Sequence, residues 1–191
     1  LWAKRLYYED SARVPTVLVG PRSDARARPG TVDDRLVGLA DVMPTLLDYA
    51  GLPAPAHCEG LSMVGAARRE VLLGACRDDA NATRMATDGR HKLLWYPCGN
   101  LVQLFDLDAD PREERDLADD PDRARIRARL EGALAAGAWG AELEWIRDGR
   151  LVGMPPRAFV STPNRGLSGQ RGHHFPPPPI ADPATVVGTP G

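Results

Sequence analysis

Chemistry in a chain of 191 residues has to come from its titratable and nucleophilic side chains, and here these are few and scattered. The four histidines are His57, His91, His173 and His174. Imidazole titrates near neutral pH, which makes each a candidate general acid or base. His91 lies in a stretch that reads as a strand, alternating with Leu93 and Trp95 or with Lys92 and Leu94, and is most simply a half-exposed strand residue. His173 and His174 lie in a Pro- and Gly-rich stretch. His57 lies in a loop that could line a substrate pocket. Cys58, Cys76 and Cys98 are odd in number and widely spaced, with no C-x-x-C pair and no histidine at zinc-ligand spacing, so they read as small buried thiols, the alternative being one disulfide plus a free thiol.

Two local patterns invite metal or anion binding and fail on inspection. Asp106, Asp108 and Asp110 alternate as in a calcium loop, with Glu113 and Glu114 beyond. Such a loop needs glycine at its sixth position and a bidentate glutamate at its twelfth, and these are Pro111 and Leu117. A strand end running into Asp-Pro turns explains the acidic run. The stretch from Gly166 to Gly172 is glycine-rich and carries two arginines, but it lacks the Lys-Ser/Thr ending of a phosphate loop and joins no clear strand to a helix.

The elements that would position such groups form a soluble globular pattern, at 43% hydrophobic and 26% charged residues. A net charge of -2 with interspersed signs gives no basic stripe for nucleic acid, and no apolar run reaches the length of a membrane helix. Val14-Pro15-Thr16-Val17-Leu18-Val19 reads as a buried strand over about 15–19, ended by Gly20-Pro21. From Leu36 to Ala50 apolar residues recur at three- and four-residue steps, which predicts a core-facing helix over about 42–50, capped by Asp41 and stopped by Gly51. Further strands are expected at 70–75, in a hairpin of 83–87 and 91–96 around Asp88-Gly89, and at 101–107. Asp120-Pro121 opens the clearest helix, with Ile126, Leu130 and Leu134 on one stripe and Gly137 beyond it. The expected organisation is an α/β piece over 1–68, a small antiparallel sheet with a helix over 69–137, and a Pro- and Gly-rich extended tail over 138–191.

Five stretches, in order, carry a resemblance. They are Lys4-Arg5-Leu6-Tyr7-Tyr8-Glu9-Asp10-Ser11-Ala12-Arg13-Val14-Pro15; Asp41 to Gly51; Glu59-Gly60-Leu61-Ser62; Arg90-His91-Lys92-Leu93; and Gln103 to Leu107 through Asp110-Pro111, ending at Asp116-Leu117-Ala118. Together they resemble the C-terminal portion of the sulfatase family of the alkaline phosphatase superfamily. The segment Pro163 to Gly172 is similar to tails of bacterial arylsulfatase-like members. The resemblance implies a large mixed α/β sheet followed by a smaller subdomain with a four-stranded antiparallel sheet and a helix. It also implies a formylglycine nucleophile, made within a C/S-x-P/A-x-R motif, beside a divalent cation, usually calcium, held by Asp and Asn or His.

That nucleophile motif is absent from these 191 residues, since neither Cys58 nor Cys98 has the required Pro and Arg. The chain has no initiator Met, and either it is part of a longer protein or its start lies upstream. By position in its motif Lys4 resembles the family lysine that contacts the sulfate group, where an ammonium acts as a compact point charge. Glu9 and Arg13 belong to the same motif, either as sulfate contacts or as an ion pair that fixes the loop carrying Lys4. The expected activity is hydrolysis of a small sulfate ester, with the calcium ligands outside this chain. The alternatives are a phosphonate monoester hydrolase or phosphodiesterase of the same superfamily, and a non-catalytic scaffold. Compartment and oligomeric state are not legible.

Overall fold

The computed structural model describes residues 6–156; the stretch containing His173 and His174, and the segment 163–172, lie outside the described residues. Its centre is an antiparallel four-stranded meander: β1 (Leu72–Cys76), β2 (Thr83–Thr87), β3 (His91–Tyr96) and β4 (Leu101–Asp106), in the order β1-β2-β3-β4. The β2–β3 turn uses Gly89 at φ +94, a conformation glycine adopts without a steric penalty. The Asp88 carboxylate accepts the backbone N–H groups of Arg90 and His91 and tightens that turn. Register pairs Leu93 with Leu104 and Met85 with Leu94.

Side chains of successive strand residues point to opposite faces, and here both faces are covered. On one, Ala86, Leu93, Trp95 and Leu104 pack with Leu130 and Leu134 of helix α3 (Ala124–Ala136). On the other, Met85, Leu94 and Phe105 meet Tyr7, Tyr8 and Ala12, which flank and form the one-turn helix α1 (Glu9–Ala12). This is why β2 and most of β3 are buried at every position rather than alternately. Asp120 caps the 3-10 turn Pro121–Arg123 by accepting the Asp122 N–H, and α3 continues from it.

Residues 140–151, expected within an extended tail, are instead structured. A 3-10 turn (Gly140–Trp145) leads into a two-stranded ribbon, β5 (Ile146–Arg147) with β6 (Arg150–Leu151). Trp145 is buried edge-on against Trp95, with ring centroids 6.3 Å apart. The buried Arg84 guanidinium lies over the Trp145 ring and bonds the Glu142 carboxylate at 2.5 Å. The tail-like composition begins after this turn of core structure. An isolated tryptophan is a weak sequence signal for such docking.

Two expectations in the first half fail. Residues 15–19 form no strand; Val17 and Val19 are each 85% exposed. A strand needs a neighbour to take its backbone hydrogen bonds, and the described residues provide none there. Helix α2 (Val42–Tyr49) forms where the periodicity places it, and Gly51 ends it at φ +68. Its apolar stripe, however, faces outward: Leu39 is 89% and Leu46 64% exposed, with Val42 and Met43 beside them. The inward face is polar. Thr45 accepts the Met63 N–H and donates to the Asp41 carbonyl, and Asp48 accepts from Ser62. Asp41 is buried but caps no α2 N–H; it takes the N–H groups of Gly38 and Leu61 and a two-pronged bond from Arg69 at 2.5 and 2.6 Å.

Two substitutions separate core from outward face. Leu130→Ala should cost about 2–5 kcal/mol of stability, as a fully buried leucine removed from a packed site does. Leu46→Gln should change stability by no more than about 0.5 kcal/mol, the surface expectation. Urea unfolding followed by tryptophan fluorescence reads both.

Candidate functional site

Lys4 lies outside the described residues; what the structure describes is the segment that follows it and how that segment is held. Tyr8 ends its extended stretch as the N-cap of α1, its carbonyl accepting the Ser11 and Ala12 N–H groups. The Tyr8 ring packs at 6.1 Å from Phe105, and its hydroxyl donates to Gln103 Oε1 at 2.7 Å. The Tyr96 hydroxyl reaches the same Gln103 oxygen at 3.2 Å. Burial pushes the Tyr7 and Tyr96 phenols above their ordinary pKa, so both stay neutral.

At the centre of this face is Lys92, on the same side of β3 as Leu94 and 1% exposed. Its ammonium bonds the Glu9 carboxylate, donates to the Tyr7 carbonyl at 2.9 Å, and lies 2.9 Å from Glu113 Oε1. The other Glu113 oxygen accepts the Glu9 backbone N–H at 2.5 Å. Two carboxylates and one carbonyl thus close around one buried cation. Arg13 is 3.7 Å from Glu9 but 83% exposed, so the interaction that fixes this segment is Glu9 with Lys92, and Glu9–Arg13 is a solvated accessory. Lys92 was missing from the sequence reading of the site. Its signal was a charge at the buried parity of a strand.

A second charged cluster lies at the β2–β3 turn. His91 is buried, not half-exposed, with Nδ1 3.4 Å from Asp88 Oδ2 and Nε2 3.7 Å from Asp106 Oδ2. Arg129 of α3 pairs with Asp88. Arg90 grips Asp106 through Nε at 3.2 Å and Nη2 at 2.9 Å. Hydrogen bonds from Arg90 hold the Asp106 carboxyl down at about 2, against the opposing effect of burial.

Comparison with known proteins bears on the segment that Lys92 holds. The family model described as N-sulphoglucosamine sulphohydrolase, C-terminal, matches residues 1–73. The arylsulfatase of Clostridium perfringens is 32% identical over 120 residues, 60% of this chain and 25% of its own. Arylsulfatase K of Rattus norvegicus is 34% identical over 132 residues, 60% of this chain and 23% of its own. The Delta 4,5-hexuronate-2-O-sulfatase of Bacteroides thetaiotaomicron is 30% identical over 140 residues, 67% of this chain and 29% of its own.

The chain is similar to the C-terminal portion of the sulfatase family. It spans about a quarter of the length of the curated relatives it matches.

Within this portion the remaining candidates are not brought together. His57 is exposed in a turn closed by the Cys58 N–H to the Pro55 carbonyl. Cys58, Cys76 and Cys98 are free and half-buried rather than fully buried. The sulfatase family is metal-dependent in general, yet among the described residues no group of three or more His, Cys, Asp or Glu side chains could hold a metal ion. The alternating aspartates are already engaged or solvated: Asp106 by Arg90, Asp110 by the Arg115 N–H, and Asp108 on the surface. The described donor set does not fit a divalent cation.

The Asp106 shift sets a pH dependence. Its folded pKa, near 2, is depressed from the ordinary 3.8, so its contribution to stability is full above pH about 4 and is lost as pH falls through about 2. The urea midpoint of Asp106→Asn should therefore lie below that of the parent at pH 5, with the gap narrowing towards pH 2.

Proposed function

We propose that this chain supplies the sulfate-facing lysine and its supporting subdomain to a sulfuric ester hydrolase. The observation that carries the reading is the Lys4–Pro15 motif, which lies inside the region matched by the sulphohydrolase family model and whose residues from Tyr7 onward are locked to the sheet by Lys92. The sulfatase relatives support the substrate class, a small-molecule sulfate ester.

Hydrolysis of such an ester drives negative charge onto the non-bridging and leaving oxygens of the sulfuryl group, so an ammonium aimed at them stabilises the transition state more than the ground state. Lys4 takes that role. Glu9, fixed by Lys92, sets the path of the chain leading back to it. His57 lines the approach for substrate. The formylglycine nucleophile and a calcium ion, which would polarise the sulfuryl oxygens, belong to polypeptide outside these 191 residues.

The outward apolar row of Leu39, Val42, Met43 and Leu46, with Val17 and Val19, is the surface we assign to contact with that nucleophile-bearing part.

Two measurements test the reading. The purified 191-residue chain should release no sulfate from 4-nitrophenyl sulfate with or without calcium, and measurable turnover would refute the assignment of the nucleophile elsewhere. In a protein that carries the nucleophile motif upstream of this sequence, Lys4→Ala should lower kcat by about two orders of magnitude, the scale for removing one aligned charge stabiliser. Unchanged kinetics would remove Lys4 from the site.

A further inference from the structure

Lys92 is too deep to meet a substrate, and stability alone is a poor reason for its presence. It occupies a position whose same-face neighbours are Met85, Leu94 and Phe105, where an apolar side chain of similar volume would pack without a desolvation penalty. Replacing a buried ion pair by apolar residues is often neutral or stabilising, so a buried ammonium calls for a role in geometry.

That geometry is specific. Three oxygen groups surround the ammonium: the Tyr7 carbonyl and Glu9 accept hydrogen bonds from it, and Glu113 Oε1 lies 2.9 Å away as an ion-pair partner without hydrogen-bond alignment. Two of the three belong to the segment just after Lys4. The third, Glu113, also takes the Glu9 backbone N–H, so side chain and main chain of one residue are held from the same point. Glu113 itself sits at φ +56, an uncommon backbone for a glutamate, in the turn after β4. Displacing the segment along the sheet would strand a buried charge, which makes its position discrete rather than adjustable.

We propose that Lys92 is a positioning residue: through Glu9 and the Tyr7 carbonyl it fixes the segment at residues 7–12, the anchor from which the chain runs to Lys4. The inference rests on the reading of Lys4 given above. It adds that the strand lysine acts only through the segment, with no contact to substrate.

Hydrogen exchange and a mutant cycle test it. Lys92→Met leaves Glu9 and Glu113 facing each other without a cation and can unfold the chain. Glu9→Gln keeps the Lys92–Glu113 pair and is therefore the primary variant. In the 191-residue chain, Glu9→Gln should speed exchange of the amides of residues 9–13 by about tenfold or more while those of Leu93, Leu94 and Leu104 keep their protection, as local opening does. Parent-like protection of residues 9–13 would overturn the docking role.

In the nucleophile-bearing protein, Glu9→Gln should lower kcat about tenfold with little change in KM, the scale of a misplaced catalytic group. In a Lys4→Ala background it should lower kcat no further, since two residues acting through one contact are not additive. Full additivity of the two losses would sink the positioning role. No loss on Lys4→Ala alone would instead sink the sulfate-contact reading, so the two failures are distinguishable.

Discussion

A buried ammonium must be neutralised where it sits, and in this chain that requirement decides which polypeptide lies on one whole face of the sheet. Lys92 brings a full charge into a surface otherwise made of Met85, Leu94 and Phe105. Among the described residues, the oxygens that reach it come from the segment at residues 7–9 and from the turn holding Glu113. Apolar contacts from Tyr7, Tyr8 and Ala12 supply most of the attraction, but hydrophobic burial is non-directional and would tolerate a sliding segment. The charge removes that freedom.

The opposite face is organised differently. Leu130, Leu134, Trp145 and the strand residues beneath them form an apolar core, and the buried Arg84 beside it is closed off by Glu142 and the Trp145 ring. That face holds the subdomain together, and the Lys92 face holds the segment at residues 7–12 to it. In α2 the arrangement inverts again: polar Asp41, Thr45 and Asp48 knit the helix to the loop at 60–69, and leucines point away. Arg69 neutralises the buried Asp41 at the start of this polar contact. Burial pushes that carboxyl upward, but the bonds from Arg69, Gly38 and Leu61 outweigh it and keep it ionised.

The strands β1 to β4, the hairpin at Asp88-Gly89 and helix α3 were legible in the sequence, because each depends on local pattern: alternation, a turn pair that tolerates positive φ, a Pro at a helix start. The position of α2 was legible and its orientation was not. Periodicity shows that a stripe exists, while which side faces this chain's own core depends on what else is present. The run at 15–19 failed for the same reason, since apolar β-branched residues indicate a strand only if a partner accepts its backbone groups. Motif resemblance reached Lys4, Glu9 and Arg13, and the Glu9–Arg13 ion pair is present, though solvated on the Arg13 side. The buried partner of Glu9, Lys92, lies 83 positions away, a distance no local pattern reports.

On the reading proposed for Lys4, these features divide the labour of binding an anion. An ammonium that stabilises developing charge loses its advantage if it can follow the substrate's ground state, because only differential stabilisation accelerates a reaction. Its carrier must therefore be stiffer than the contact it makes. A lysine side chain is long and flexible, so the stiffness has to be in the backbone behind it. A one-turn helix is too short to provide this alone. The sheet provides it, through a second lysine whose own charge leaves the carrier a single place to lie.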